Sequence, residues 1–262
     1  MPYDPTTAIL RPSQNPLRSG VTRLSKLAFA LVLLLASITL VSASCGGDGE
    51  GSSDSDPEPT FTTAGVSPEP TGEPELTGFA FPIDDACLPG GDNLMPGAPR
   101  TYRMGTHEGI DFYDSDNCTP IGEDTEVFAA KAGTIVRADW DYEPLTYAEL
   151  AEIDARIAGQ NACDEESLDR FRGRQVWVDH GNGVITRYAH LGRIADDIEV
   201  GLSVRQGELI AYVGNSGTPE SLDDPNAEMH LHMELRVGDG YLGKGLSASE
   251  VRALYEKAFA RH

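Results

Sequence analysis

His107 and Asp111 stand four residues apart in Thr-His-Glu-Gly-Ile-Asp, His190 closes Tyr-Ala-His, and His230 and His232 form His-Leu-His. Four of the six histidines of this 262-residue chain thus fall into three short motifs. Imidazole nitrogen and carboxylate oxygen are donors that a zinc ion takes, three from the protein with a further position open to water. The five side chains supply such a set and leave two histidines to move protons. Each motif alone has a plainer explanation. His-x-His is most often an exposed strand face, His-x-x-x-Asp a surface histidine beside a turn aspartate, and a histidine at a strand end the partner of a backbone carbonyl. Their combination is what points to a metal, and two neutral imidazoles with one carboxylate would leave a zinc ion a net charge of about +1, enough to acidify a bound water. His180, in a Gly-Asn-Gly turn, is expected to be exposed and inert, and His262 is terminal and uninformative.

Such groups need a rigid support. Residues 228–237 alternate, with Leu231, Met233 and Leu235 on one side and His230, His232, Glu234 and Arg236 on the other, the period of a half-buried strand. Residues two apart on a strand point the same way, so both imidazoles leave one face. Short β-rich runs at 125–130, 133–138, 175–179, 184–189 and 209–213 read as further strands. The Asn-Gly pair between the third and fourth of these is a hairpin signal. Gly109 offers backbone geometry that other residues avoid. Two helices interrupt. Residues 146–158 start with Thr146 and Glu149 as a capping box and Leu145 and Leu150 as a staple, with Leu150, Ile153 and Ile157 in one stripe. The other starts at Ser247, has Glu250 three residues on, and buries Val251, Leu254, Tyr255, Ala258 and Phe259. Residues 140–174 are therefore an acidic helical insertion between strands. The fold class is mainly β with a C-terminal helix, and no internal repeat is visible.

Taken together, Thr106-His107-Glu108-Gly109-Ile110-Asp111-Phe112, His180-Gly181-Asn182-Gly183, Tyr188-Ala189-His190-Leu191 and His230-Leu231-His232-Met233-Glu234 resemble the lysostaphin- or LytM-type zinc metallo-endopeptidases, which cut peptide cross-links in bacterial peptidoglycan. The resemblance spans residues 81–236. It implies Zn2+ as the cofactor, with His107, Asp111 and His232 as its ligands. It implies that His190 and His230 handle protons and stabilise the developing oxyanion, with their division of labour open. It also implies an antiparallel β-sheet domain forming a groove, and peptidoglycan peptide as the partner. Two departures stand out. The family has a short Gly/Ser-rich loop and a proline before His-x-His, whereas residues 215–229 here are longer and carry Glu220, Asp223, Asp224 and Glu228. The insertion over 140–174 is also extra. Both are expected beside the groove, which leaves substrate preference open. The complete ligand set argues against members that have lost the metal. Two alternatives stay: a non-hydrolytic module of this fold that activates a cell-wall amidase, with other cell-wall hydrolases as partners, and a zinc peptidase of another extracellular peptide.

The chain before this domain reads differently. Arg11, Arg18, Arg23 and Lys26 precede an apolar run over 27–41, then Ser42, Ala43, Ser44 and Cys45. Basic, apolar, small is the order of a secretory signal, and the run is short for a spanning helix, which needs about 20 residues. A cysteine directly after the small residues resembles a lipoprotein cleavage site, although Ser42 stands where that pattern has leucine. Residues 1–45 are thus expected to be a signal peptide, a lipoprotein signal or a membrane anchor, and the protein to be extracytoplasmic, tethered through lipid or anchor helix or else secreted. Residues 46–77 hold eight acids, no base and many Gly, Ser and Pro, too little apolar area to order, and read as an extended acidic linker. The folded domain is expected over 78–262. Net charge is −22, which excludes nucleic acid as a partner, because binding it rests on Lys and Arg neutralising phosphates. A bridge between Cys87 and Cys118 would brace the first motif, with Cys163 as an alternative partner for either.

Overall fold

The computed structural model describes residues 74–260. The expected export signal, most of the acidic linker and His262 lie outside the described residues. Among the described residues twelve strands form: β1 (Pro99–Arg100), β2 (Gly105–Thr106), β3 (Ile110–Tyr113), β4 (Glu126–Phe128), β5 (Gly133–Ala138), β6 (Val176–Asp179), β7 (Val184–Ala189), β8 (Leu191–Ile194), β9 (Ser203–Val204), β10 (Leu209–Val213), β11 (His230–Val237) and β12 (Gly240–Tyr241). The helices are α1 (Tyr147–Gln160), α2 (Glu165–Arg172) and α3 (Ala248–Ala258). The larger sheet runs β12-β11-β7-β6-β5-β9, with β3 also on β11, and a smaller sheet runs β4-β10-β8. Every pairing is antiparallel, so the domain is mainly β as the alternation implies.

β11 is the strand on which the rest is hung. One edge pairs with β7 from His232 opposite Ala189 to Val237 opposite Val184. The other edge pairs with β3, His232 standing opposite Asp111 and His230 opposite Tyr113. Leu231, Met233 and Leu235 enter the main core together with Ile110, Phe112, Val176, Val178 and Tyr188. The opposite face departs from the half-buried expectation: His230, His232 and Glu234 are buried as well. Arginine side chains cover that face, and a buried charge is tolerated only where it is paired. Arg172, Arg187 and Arg236 all lie against Glu234.

The insertion has a core of its own. Leu145, Ile153, Ile157 and Phe171 are buried together, with Leu150, Cys163 and Leu222 packed on them. Leu222 comes from the long loop over 215–229, and the Tyr147 hydroxyl of α1 donates to Asp223 of the same loop. The two departures from the family pattern are thus one packed unit. Thr146 caps α1 by accepting from the Glu149 N–H at 3.2 Å. The capping box stays half-made, because the Glu149 carboxylate goes to Arg170 of α2. At α3 the box is complete. Helix α2 escapes the periodicity: eight residues with five charges leave only Leu168 and Phe171 as buried apolar side chains, and Asp164 caps its start.

Cys87 and Cys118 form a disulfide, and Cys163 is free and half-buried. His180 is not the exposed, inert residue expected. It is half-buried, its Nδ1 bonded to the Ala132 carbonyl and its Nε2 beside the Thr186 hydroxyl, both at 2.9 Å. Among the described residues no helix is long and apolar enough to cross a membrane.

Candidate metal centre

Three short segments converge. His107 follows β2, Asp111 lies on β3 and His232 on β11, and the antiparallel register puts the last two directly opposite. Met233 of β11 pairs with Ile110, which brings the backbone of Gly109 against the ring of its neighbour. A Cβ on Gly109 would lie 2.8 Å from the His232 ring and 2.5 Å from the Met233 carbonyl. The glycine is needed for close approach rather than for an unusual dihedral.

The donor atoms are close. His107 Nε2 is 2.9 Å from Asp111 Oδ1 and 3.0 Å from His232 Nδ1, and His232 Nδ1 is 2.7 Å from Asp111 Oδ1. The outer nitrogens decide what these contacts are. His107 Nδ1 faces the Met95 carbonyl at 3.1 Å, and His232 Nε2 faces Glu234 Oε1 at 3.2 Å. Both partners only accept, so both outer nitrogens carry hydrogen, which leaves the inner nitrogens as the ones a cation could take. With the Asp111 carboxylate, three possible ligand atoms converge inside the protein. A proton on His232 or a cation between the donors relieves the repulsion in such a cluster, and the set could hold a metal ion. Arg100 donates from Nη2 to Asp111 Oδ2 at 2.9 Å, which ties down the oxygen facing away from the histidines.

The protonation balance follows from burial and neighbours. Burial pushes the His107 imidazole down to about 4. Burial opposes ionisation of Asp111, yet the His107 and His232 rings beside it hold its carboxyl well below the usual carboxylate range. Burial opposes charge on His232 too, but the flanking Asp111 and Glu234 carboxylates hold it above its ordinary value.

His190 and His230 stand alongside, with ring centroids 4.6 Å apart. His230 Nε2 is 3.9 Å from Asp111 Oδ1. Each donates from Nδ1 to a backbone carbonyl, His190 to Ser216 at 2.9 Å and His230 to Glu228 at 2.7 Å, so each keeps a basic Nε2. Burial lowers both, and the His230 and His232 imidazoles lower His190 further. His190 sits between β7 and β8 with φ of 58°, a left-handed backbone that non-glycine residues adopt at a cost of about 1–3 kcal/mol and that clusters at functional sites. The fold thus brings all five predicted residues to one place.

Sequence reasoning missed four more. Tyr113 stacks on His230 with its ring centroid 4.1 Å away, and its hydroxyl donates toward His230 Nε2 at 3.4 Å. Two residues beyond Asp111 on one strand, it shares that residue's face, and this spacing was the available signal. Glu234 shares the histidine face by alternation, which by itself points to no role. Arg100 and Arg172 come from segments with no periodic link to the motifs and carried no signal.

The sequence pattern of peptidase family M23 matches residues 105–243. The chain is 34% identical over 80 residues to the peptidoglycan DD-endopeptidase ShyC of Vibrio cholerae, a stretch that is 30% of this chain and 16% of ShyC. The chain therefore spans well under two thirds of that relative. Among solved structures, a zinc-containing peptidase of Vibrio cholerae superposes with a TM-score of 0.40 at 20% identity, over 63% of this chain and 38% of that one. The catalytic domain of lysostaphin from Staphylococcus simulans gives 0.32 at 22% identity, over 57% and 80%. Superpositions this loose establish no shared activity.

Proposed function

The chain belongs to peptidase family M23, and on that premise we propose that it is an exported zinc metallo-endopeptidase that hydrolyses peptide cross-links of bacterial peptidoglycan. The observation that carries the reading is the convergence of three ligand-capable atoms, from His107, Asp111 and His232, beside two further imidazoles. A zinc ion held there would supply a Lewis acid for the scissile carbonyl and acidify a water. The chain's own residues do the rest. His190 and His230, with Nδ1 fixed on carbonyls, are neutral near pH 7 and present Nε2 as a proton acceptor. Once protonated, the same nitrogen can hand the proton to the leaving amine. The Tyr113 hydroxyl, beside His230, is a donor for negative charge growing on the carbonyl oxygen. Burial pushes its own proton loss far up, so it stays a donor.

Peptidoglycan as substrate is supported by the name of the Vibrio relative and by the motif resemblance. Export is supported by the basic, apolar, small order over residues 1–45, and the Cys87–Cys118 disulfide suits an oxidising compartment. Tethering through a lipid on Cys45, or through the apolar run itself, completes the proposed setting. The test is digestion of purified sacculi, with and without chelator, followed by mass spectrometry of the fragments. Cleaved cross-links that vanish on chelation and with His232→Ala are the expected result. Intact sacculi with a zinc-loaded protein that stimulates an amidase would replace this reading with a regulatory one.

A further inference from the structure

The insertion and the metal centre meet at one residue. Arg172 ends α2, and its side chain is only 2% exposed. Its guanidinium faces three carboxylates: Nε donates to Glu234 Oε1 at 2.6 Å, Nη1 to Glu165 at 2.8 Å and Nη2 to Glu108 at 3.1 Å. Glu234 Oε1 is the same oxygen that accepts from His232 Nε2. Arg187 and Arg236 approach the other oxygen, Oε2, at 3.5 and 3.2 Å. Arg172 is therefore the arginine that fixes the oxygen in contact with the ligand histidine.

The backbone of the same residue reaches the other half of the site. The Arg172 carbonyl accepts from the His190 N–H at 2.8 Å. Gly173 lies so tightly on Ser216 that a Cβ would come within 2.1 Å of the Ser216 carbonyl oxygen. Arg174 N–H donates to the Ser216 hydroxyl at 2.9 Å, and that residue's carbonyl accepts from His190 Nδ1. His190 is thus held at its backbone N–H by Arg172 directly and at its ring through Ser216, on which Gly173 and Arg174 pack.

We propose that Arg172 is a positioning residue for both halves of the site, setting the ring of His232 through Glu234 and the placement of His190 through its own carbonyl. The insertion over residues 140–174 is then a required part of a competent centre rather than a wall added to the groove. The inference rests on the zinc reading above. Outer partners that orient ligand histidines are worth about 10- to 100-fold in metal affinity. A guanidinium that spans three carboxylates is not replaced by an ammonium, which keeps the charge and loses the fork.

The test is zinc affinity of the full chain, read by competition with a chromogenic chelator, together with kcat and KM on sacculi. Arg172→Met should weaken zinc binding about 10- to 100-fold and lower kcat with KM little changed. Arg172→Lys, which leaves no uncompensated buried carboxylate, keeps the test open if the methionine variant does not fold, and should fall between it and the parent. Arg170→Met, in the same helix but paired with Glu149, should leave zinc affinity unchanged. Parental zinc affinity in either folded Arg172 variant, or an equal loss in Arg170→Met, overturns the proposal. A parent chain that binds no zinc overturns instead the reading on which it rests.

Discussion

The sheet around β11 and the insertion between β5 and β6 are held together in opposite ways. The sheet draws on a large apolar core, and its ladder places Asp111 across from His232 with no freedom left. The insertion has five buried apolar side chains and leans on charged pairs: Arg170 with Glu149, Arg137 with Asp169, Arg156 with Glu166. Exposed ion pairs contribute about 0–1 kcal/mol each, so the insertion's order depends on its few apolar contacts and on the segments that clasp its exit. A site can therefore sit on the most rigid part of a fold and still draw its outer support from a weaker one.

The largest expected effect tests the sheet side. His232→Ala removes one of three ligands, and zinc binding and hydrolysis should both be lost, as read by metal analysis and sacculus digestion. His190→Ala should separate the two roles: zinc content stays near one per chain while turnover falls by about 10²- to 10⁴-fold, the usual range for a proton-transfer group. Retained turnover would remove His190 from the chemistry. On the insertion side, Ile153→Ala should cost about 2–5 kcal/mol, as a fully buried apolar truncation does. Hydrogen exchange should then show α1 opening before β6, β7 and β11. Simultaneous loss of protection in all four would break the contrast drawn above.

A smaller effect concerns protons. At pH 7 His107 is already neutral, because burial holds it near about 4, whereas His232 is raised by its two carboxylates. Zinc loading should therefore displace up to one proton, from His232, and none from His107. The raised group sets the sign, so zinc affinity falls as pH drops below the pKa of His232. Calorimetry in buffers of different ionisation enthalpy reads the number, and release of two protons would contradict the assignment. The smallest effect is the cap of α1: Thr146→Ala should cost about 1 kcal/mol, visible as a shift in thermal melting with zinc affinity unchanged.

The contrast also explains what could be read in advance. The alternation from His230 to Arg236 and the turn at Asn182 are local, short-range signals that point to the central strands, while the five candidate residues stand out through three short motifs. The bounds of β5, β7 and β10 match the apolar runs, while β3 and β8 escape: each closely follows a motif histidine, His107 or His190, and neither is a β-branched run like that of β6. The burial of the histidine face was not legible, since what covers it arrives from residues far off in sequence, Arg172 above all. Nor could the sequence tell that residues 215–229 and 140–174 pack together through Leu222 and Tyr147, because one leucine and one tyrosine carry no pattern. Gly109 was marked for its backbone freedom, and the structure gives crowding as the reason.

The pairing of β11 with β3 has a consequence for how the chain threads itself. Sliding β11 by two residues would keep the greasy face inward and set His230 across from Asp111, a decoy with the same imidazole in the same place. Apolar burial barely distinguishes the two alignments. The six-residue ladder with β7 does, since it anchors the far end of β11 at Val237 against Val184. Correct assembly of the cluster is thus decided some distance from it, at the zip between the hairpin and the last long strand.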